Sequence, residues 1–262
     1  MAQEAQTISR RGFARLLGAG AALTALRPAS VLGTRASTSA APIFKPAAAG
    51  VVRLNSNENP YGPSPDALRA MTDAFSLAWR YPDEHEGMLA DELAKLNNVP
   101  EEQILLGNGS GEILKVAAAA FTDARRKMVV ADPTFEAIGR HAQANGAEVI
   151  SVPLASDFRH DLPKMLAVSS AGLIYVCNPN NPTASVTPKA DVRSFLAKVP
   201  RETVVLVDEA YHHYSETPDY ESVIPLVRDH PNLVVARTFS KVYGMAGLRC
   251  GYCVAQPQLI LR

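Results

Sequence analysis

Cysteine is scarce. Cys177, Cys250 and Cys253 are the only three in 262 residues, too few and odd in number for a disulfide framework or a structural zinc site, so they read as core thiols. An excess of charge of either sign is missing as well: 26 basic residues balance 26 acidic ones. A neutral chain lacks the basic excess that nucleic acid or an anionic membrane surface requires of a partner. No apolar run is long enough for a permanent bilayer-spanning helix, and no internal repeat is present. The 47% of hydrophobic residues can fill a large core. These absences leave small-molecule chemistry as the expected function.

The first residues stand apart. In "SRRGFARLLGAGAALTAL", Arg10 and Arg11 precede a short run rich in Ala, Gly and Leu, with Ser9 and Phe13 flanking the pair. This is the layout of a twin-arginine export signal, and "STSAAP" supplies the small residues for cleavage near Ala40 or Ala41. The expectation is export to the periplasm; the alternative is a chance Arg-Arg pair in the tail of a cytoplasmic protein. Residues 1–41 read as signal and linker, 42–80 as a proline-punctuated arm, and 81–262 as one large domain.

Beyond Asp66, where a helix opens, the pattern alternates. Helical spacing runs through "EGMLADELAKL", "GEILKVAAAAF", "FEAIGRHAQANG" and "KADVRSFLAKV". Short β-rich runs are interspersed: "QILLG", "KMVVAD", "AEVISVPL", "GLIYVCN", "TVVLVDEA", "NLVVARTF" and "CGYCVA". Near-continuous apolar strands alternating with helices predict an α/β fold with a mostly parallel sheet covered on both faces. In such a sheet, ligands sit beyond the carboxyl ends of the strands.

Five strand ends carry polar motifs. "LGNGSGEIL" surrounds Ser110 with Gly107, Gly109 and Gly111 at a helix start, where backbone amides could cradle a phosphate; a plain strand-to-helix turn is the other reading. "DPTF" offers Phe135, a stacking platform or core packing. "NPNNPT" sets Asn178, Asn180 and Asn181 on a proline-stiffened loop. An Asx-turn explains one or two asparagines but not three. "VDEAY" delivers Asp208 out of an apolar strand, where a carboxylate needs a cation or several donors, and Tyr211 follows. Glu209, His212 and His213 have no second set at metal spacing, so no metal is expected. "RTFSKVYGMAGLRCGY" carries Thr238, Ser240, Lys241 and Arg249. A lysine is protonated in water and attacks a carbonyl only where its surroundings favour the neutral amine; otherwise Lys241 is a solvated surface residue. "CGYC" falls inside an apolar strand, which favours packing over redox chemistry.

Together these motifs ask for a flat, phosphorylated cofactor with a cationic nitrogen, held covalently by a lysine: pyridoxal 5'-phosphate. Their set and order resemble the fold-type I pyridoxal-phosphate aminotransferases, and among them the histidinol-phosphate aminotransferase group, from about residue 50 to 262. The resemblance implies that Lys241 carries the cofactor and moves the substrate's α-proton, that Asp208 pairs with the ring nitrogen, and that Asn181 and Tyr211 donate to the ring's 3-oxygen. Phe135 would stack on the ring. Gly109, Ser110, Gly111, Thr238, Ser240 and Arg249 would hold the phosphate, with Tyr81 reaching a neighbouring subunit's phosphate in a homodimer with shared active sites. Asn57 and Tyr61 would line the substrate side. The implied reaction moves an amino group between an amino acid or amino alcohol phosphate and a 2-oxo acid, as in histidine biosynthesis. A decarboxylase, a C–S lyase or a non-catalytic cofactor-binding fragment are alternatives on the same site.

The chain departs from that pattern at several points. Ser110-Gly111 stands where an acidic residue is usual, Phe135 where tyrosine is usual, and Ala184 where glycine is usual, a mild change unless the position needs positive φ. The resemblance also implies a small C-terminal domain, with an arginine for the substrate carboxylate, most of which is absent from this sequence.

Overall fold

A computed structural model of the protein describes residues 51–262; the expected twin-arginine signal and the expected cleavage site near Ala40 or Ala41 lie outside them. Seven strands form one sheet: β1 (Ile104–Gly107), β2 (Lys127–Asp132), β3 (Val149–Pro153), β4 (Ala171–Cys177), β5 (Val204–Asp208), β6 (Leu233–Thr238) and β7 (Gly251–Ala255). Their order is β1-β7-β6-β5-β4-β2-β3. All neighbouring pairs are parallel except those of β7, which runs antiparallel to both β1 and β6. The sheet is therefore mixed, with β7 the single reversed strand. Each apolar run named above becomes a strand, with ends moved by two residues or fewer.

The helices are α1 (Pro65–Ala74), α2 (Asp83–Asn97), α3 (Ser110–Phe121), α4 (Ala137–Ala144), α5 (Leu162–Leu166), α6 (Lys189–Leu196) and α7 (Pro257–Ile260). Ser64 starts α1 by accepting a hydrogen bond from the Ala67 amide at 3.2 Å, and Pro65 takes the first helical position, where its missing N–H costs nothing.

Alternation along each central strand sends side chains to two cores. On one face Val205 and Val207 of β5 pack with Ile174, Val176 and Val235 under α2, α5 and α6. On the other, Val204 and Leu206 pack with Leu173, Tyr175 and Val234 under α3 and α4. Helix α3 shows why: Ile113, Leu114, Ala117, Ala118 and Phe121 recur on one helical face, and all are buried. Cys177 and Cys253 belong to this second core, whereas Cys250 is partly exposed.

Helix α1 buries no residue at all, a property it shares only with the four-residue α7 among these helices. With the segment after it, it leaves Leu68, Phe75, Leu77, Trp79 and Tyr81 exposed. Among the described residues, no helix is long and apolar enough to cross a membrane.

Candidate active site

Strands β1, β4, β5 and β6 run in one direction, so their carboxyl ends open on the same edge of the sheet. A cavity of about 370 Å³ lies there. Its lining brings together residues widely separated in sequence: Ser110 and Gly111 after β1, Phe135 after β2, Asn181 after β4, Asp208 and Tyr211 at the end of β5, Thr238 at the end of β6, and Ser240, Lys241 and Arg249 beyond it.

Lys241 is half-buried beneath the arm. Its Nζ donates to the carbonyls of Ser56 at 3.0 Å and Asn57 at 3.3 Å, and it lies 5.7 Å from the centre of the Tyr211 ring. Its pKa is lowered, chiefly by desolvation and further by Arg249, while Asp208 and Glu58 pull the other way. Desolvation and Arg249 prevail, which favours the neutral amine that a lysine nucleophile needs. The arm is fixed above it by Asn59, whose amide donates to the Val242 carbonyl at 2.9 Å, and by a close backbone crossing. Gly244, at φ +69°, lies so near Gly62 and Pro63 that a Cβ there would collide with their main chain.

Asp208 is 3% exposed. Oδ2 accepts from the Tyr175 hydroxyl at 2.9 Å and Oδ1 from the Ala210 amide at 3.0 Å. Burial pushes its pKa up to about 6 against the pull of those two donors. A carboxylate held this far from water calls for a cationic partner in the cavity. Next in the chain, Glu209 is buried too, but its charge is met within the protein. Arg237 donates to Glu209 Oε2 from Nε at 3.0 Å and from Nη2 at 2.8 Å. Ser222 adds a bond at 2.8 Å and the Val223 amide one at 2.7 Å. Glu209 is thus a scaffold residue, and so are the two histidines after it: His212 bonds Tyr220 and His213 bonds Tyr243. Among the described residues, no group of three or more His, Cys, Asp or Glu could hold a metal ion.

The three asparagines divide the same way. Asn178 is tied to Thr187 by two bonds of 3.0 Å. Asn180 bonds Thr134, Pro133 and Thr183. Asn181 lines the cavity and, among the described residues, spends its side chain on neither scaffold. Tyr211 is half-buried, its hydroxyl accepting from the Asn57 amide at 3.0 Å. Ala184, in the same loop, adopts φ +55°, so the methyl group stands where glycine would be unstrained.

The glycine turn completes the site. Gly109 has φ +76°, and a Cβ there would run into the Arg249 guanidinium. Arg249 itself is held by Ser240 Oγ at 3.3 Å and the Ala246 carbonyl at 2.8 Å, while Thr238 Oγ1 bonds Ser240 Oγ at 2.9 Å. The first amides of α3 have no acceptor inside the helix and carry the positive end of its dipole. Beside a guanidinium and two hydroxyls, they form a site suited to a phosphate dianion.

A model of the aminotransferase class I and II family matches residues 49–262. The chain belongs to that family. It is 44% identical to the histidinol-phosphate aminotransferase of Symbiobacterium thermophilum over 212 residues, which cover 80% of this chain and 58% of that protein. Identity to the enzyme of the same description from Halalkalibacterium halodurans is 43%, over 80% and 57%. Among solved structures, histidinol-phosphate aminotransferase from Sinorhizobium meliloti, in complex with pyridoxal-5'-phosphate, superposes with a TM-score of 0.72 at 33% identity, covering 78% of this chain and 55% of that one. The chain thus spans less than two thirds of the length of these relatives.

Within the aminotransferase class I and II frame, ten of the predicted residues share the cavity, and Gly109 stands directly against Arg249. Asn57 meets the site through Tyr211. Tyr61 and Tyr81 stand apart from it, 93% and 92% exposed. Sequence reasoning missed Cys177, Ser56 and Glu58 in the lining, and Tyr175 behind it. The one signal for Tyr175 was a hydroxyl inside the apolar strand "GLIYVC", which had to find a partner once buried.

Proposed function

We propose that this chain supplies the cofactor-binding part of a pyridoxal-phosphate-dependent aminotransferase that transfers an amino group from histidinol phosphate, or a closely similar amino alcohol phosphate, to a 2-oxo acid. One observation carries this reading. A half-buried lysine with a lowered pKa shares a cavity with a buried carboxylate and an anion-binding helix start.

The donor set fits the cofactor part by part. Lys241 would hold its aldehyde carbon, Asp208 its ring nitrogen, Asn181 and Tyr211 its 3-oxygen, and Phe135 its ring face. Gly109, Ser110, Gly111, Thr238, Ser240 and Arg249 would hold its phosphate. When bound, pyridoxal phosphate supplies an electron sink for the substrate's α-carbon. The chain's own residues do the rest. Lys241 Nζ takes the α-proton and returns it, within reach of Tyr211 and under the arm that limits access of water. Asp208 keeps a negative charge where a cationic nitrogen must be stabilised.

The exposed apolar face of α1 and the residues up to Tyr81 support a homodimer in which this surface is covered. The Arg10-Arg11 pair supports export to the periplasm. The activity is tested by incubating the protein and pyridoxal phosphate with L-histidinol phosphate and 2-oxoglutarate. Glutamate is expected in step with loss of the donor amine. Release of carbon dioxide from a phosphorylated amino acid, without glutamate, would favour the decarboxylase reading instead.

A further inference from the structure

Tyr175 is wholly buried in the middle of β4, 0% exposed among aliphatic neighbours. A phenol hydroxyl in such a place needs a hydrogen-bond partner. Strands β4 and β5 pair in parallel with Cys177 opposite Asp208. Tyr175, two residues before Cys177, therefore shares its face of the sheet, and the phenol is long enough to reach the strand's end. Its hydroxyl donates to Asp208 Oδ2 at 2.9 Å while the Ala210 amide takes Oδ1 at 3.0 Å. Each carboxylate oxygen is thereby pinned by one donor, which fixes the plane of the group at the base of the cavity.

We infer that Tyr175 is a positioning residue that orients the Asp208 carboxylate and keeps it ionised for a cationic ligand nitrogen. The nature of that nitrogen rests on the function proposed above, whereas the effect of Tyr175 on Asp208 does not. The other groups around Asp208 cannot take its place. Cys177 is a buried thiol whose pKa is pushed up by desolvation. Glu209 is a like charge engaged with Arg237, and Tyr211 and Tyr220, though only partly buried, have pKa values that desolvation raises, so they too stay protonated. Lys241 favours the Asp208 charge from within the cavity, but its amine is given to the Ser56 and Asn57 carbonyls. Tyr175 stays protonated, since burial and the adjacent carboxylate both raise its pKa, and so it is a permanent donor.

The test uses Tyr175→Phe, which keeps the ring and removes only the donor. Carbon-13 labelling of the aspartate carboxyls, with Asp208 assigned through Asp208→Asn, follows its titration by NMR in the cofactor-free full chain. The expected result is an Asp208 midpoint about one pH unit or more above wild type, together with about tenfold weaker binding of pyridoxal phosphate. A second variant carries 3-fluorotyrosine at position 175, nearly the same in size and a stronger donor, and should move the midpoint down. It decides the matter alone if Tyr175→Phe fails to fold. An unchanged midpoint in a folded variant overturns the inference and leaves Tyr175 as packing. If wild type takes up no pyridoxal phosphate at all, the proposed function fails, and the cofactor-free titration still judges Tyr175.

Discussion

Lys241→Ala is expected to abolish amino transfer, with a loss on the order of 10⁴ to 10⁶ as for other essential nucleophiles, while the protein stays folded. The lysine is half-buried and its polar contacts are two arm carbonyls that water can satisfy, so its removal costs little stability. What is lost is the one amine that burial and Arg249 bias toward the neutral form in the cavity. Lys241→Arg sharpens the test. A guanidinium can still bond the Ser56 and Asn57 carbonyls, but it is always charged and does not serve as the nucleophile. Both variants should therefore fail equally in glutamate formation. Activity retained by Lys241→Arg would mean that the residue serves only as a charge.

Arg237→Ala carries the second large effect, this time on stability. Glu209 and Arg237 are both buried and share two hydrogen bonds. Removing one partner leaves an uncompensated charge in the core and costs about 3–5 kcal/mol. Urea unfolding measures it through a lower midpoint. The deficit should depend on pH with a definite sign. Burial raises the folded-state pKa of Glu209 even with Arg237 in place, so folding favours the protonated carboxyl. That contribution is fully present below the unfolded pKa and is lost as pH rises through the folded one. Without Arg237 the dependence steepens, and the variant should lie further below wild type in alkaline than in mildly acidic buffer.

Much of this was legible in sequence, for reasons that can be named. Strands buried on both faces read as apolar runs, and "TVVLVDEA" and "NLVVARTF" became β5 and β6 at the centre of the sheet. The same signal is blind to direction. "CGYCVA" looks like its parallel neighbours, and only the connection that leads from β6 into β7 reverses it. Helix α5 was missed because five residues with a proline near the start carry no periodicity. In the site, Lys241, Asp208 and Asn181 were readable because each is a polar residue placed where a strand ends. Their supports were not. Arg237 lies 28 residues from Glu209, and Tyr175 lies 33 from Asp208; both pairings depend on sheet register, which composition does not encode. The division of labour among Asn178, Asn180 and Asn181 was likewise a matter of which side chain the folded loop had already engaged.

Lys241, proposed above as the covalent anchor of pyridoxal phosphate, is open to direct chemical proof. The most direct measurement is to add the cofactor, reduce with borohydride, digest the protein and locate the modified peptide by mass spectrometry. One phosphopyridoxyl group is expected, on Lys241, within the peptide that holds "TFSK", and none in Lys241→Ala. A label on another lysine, or on none, would contradict it.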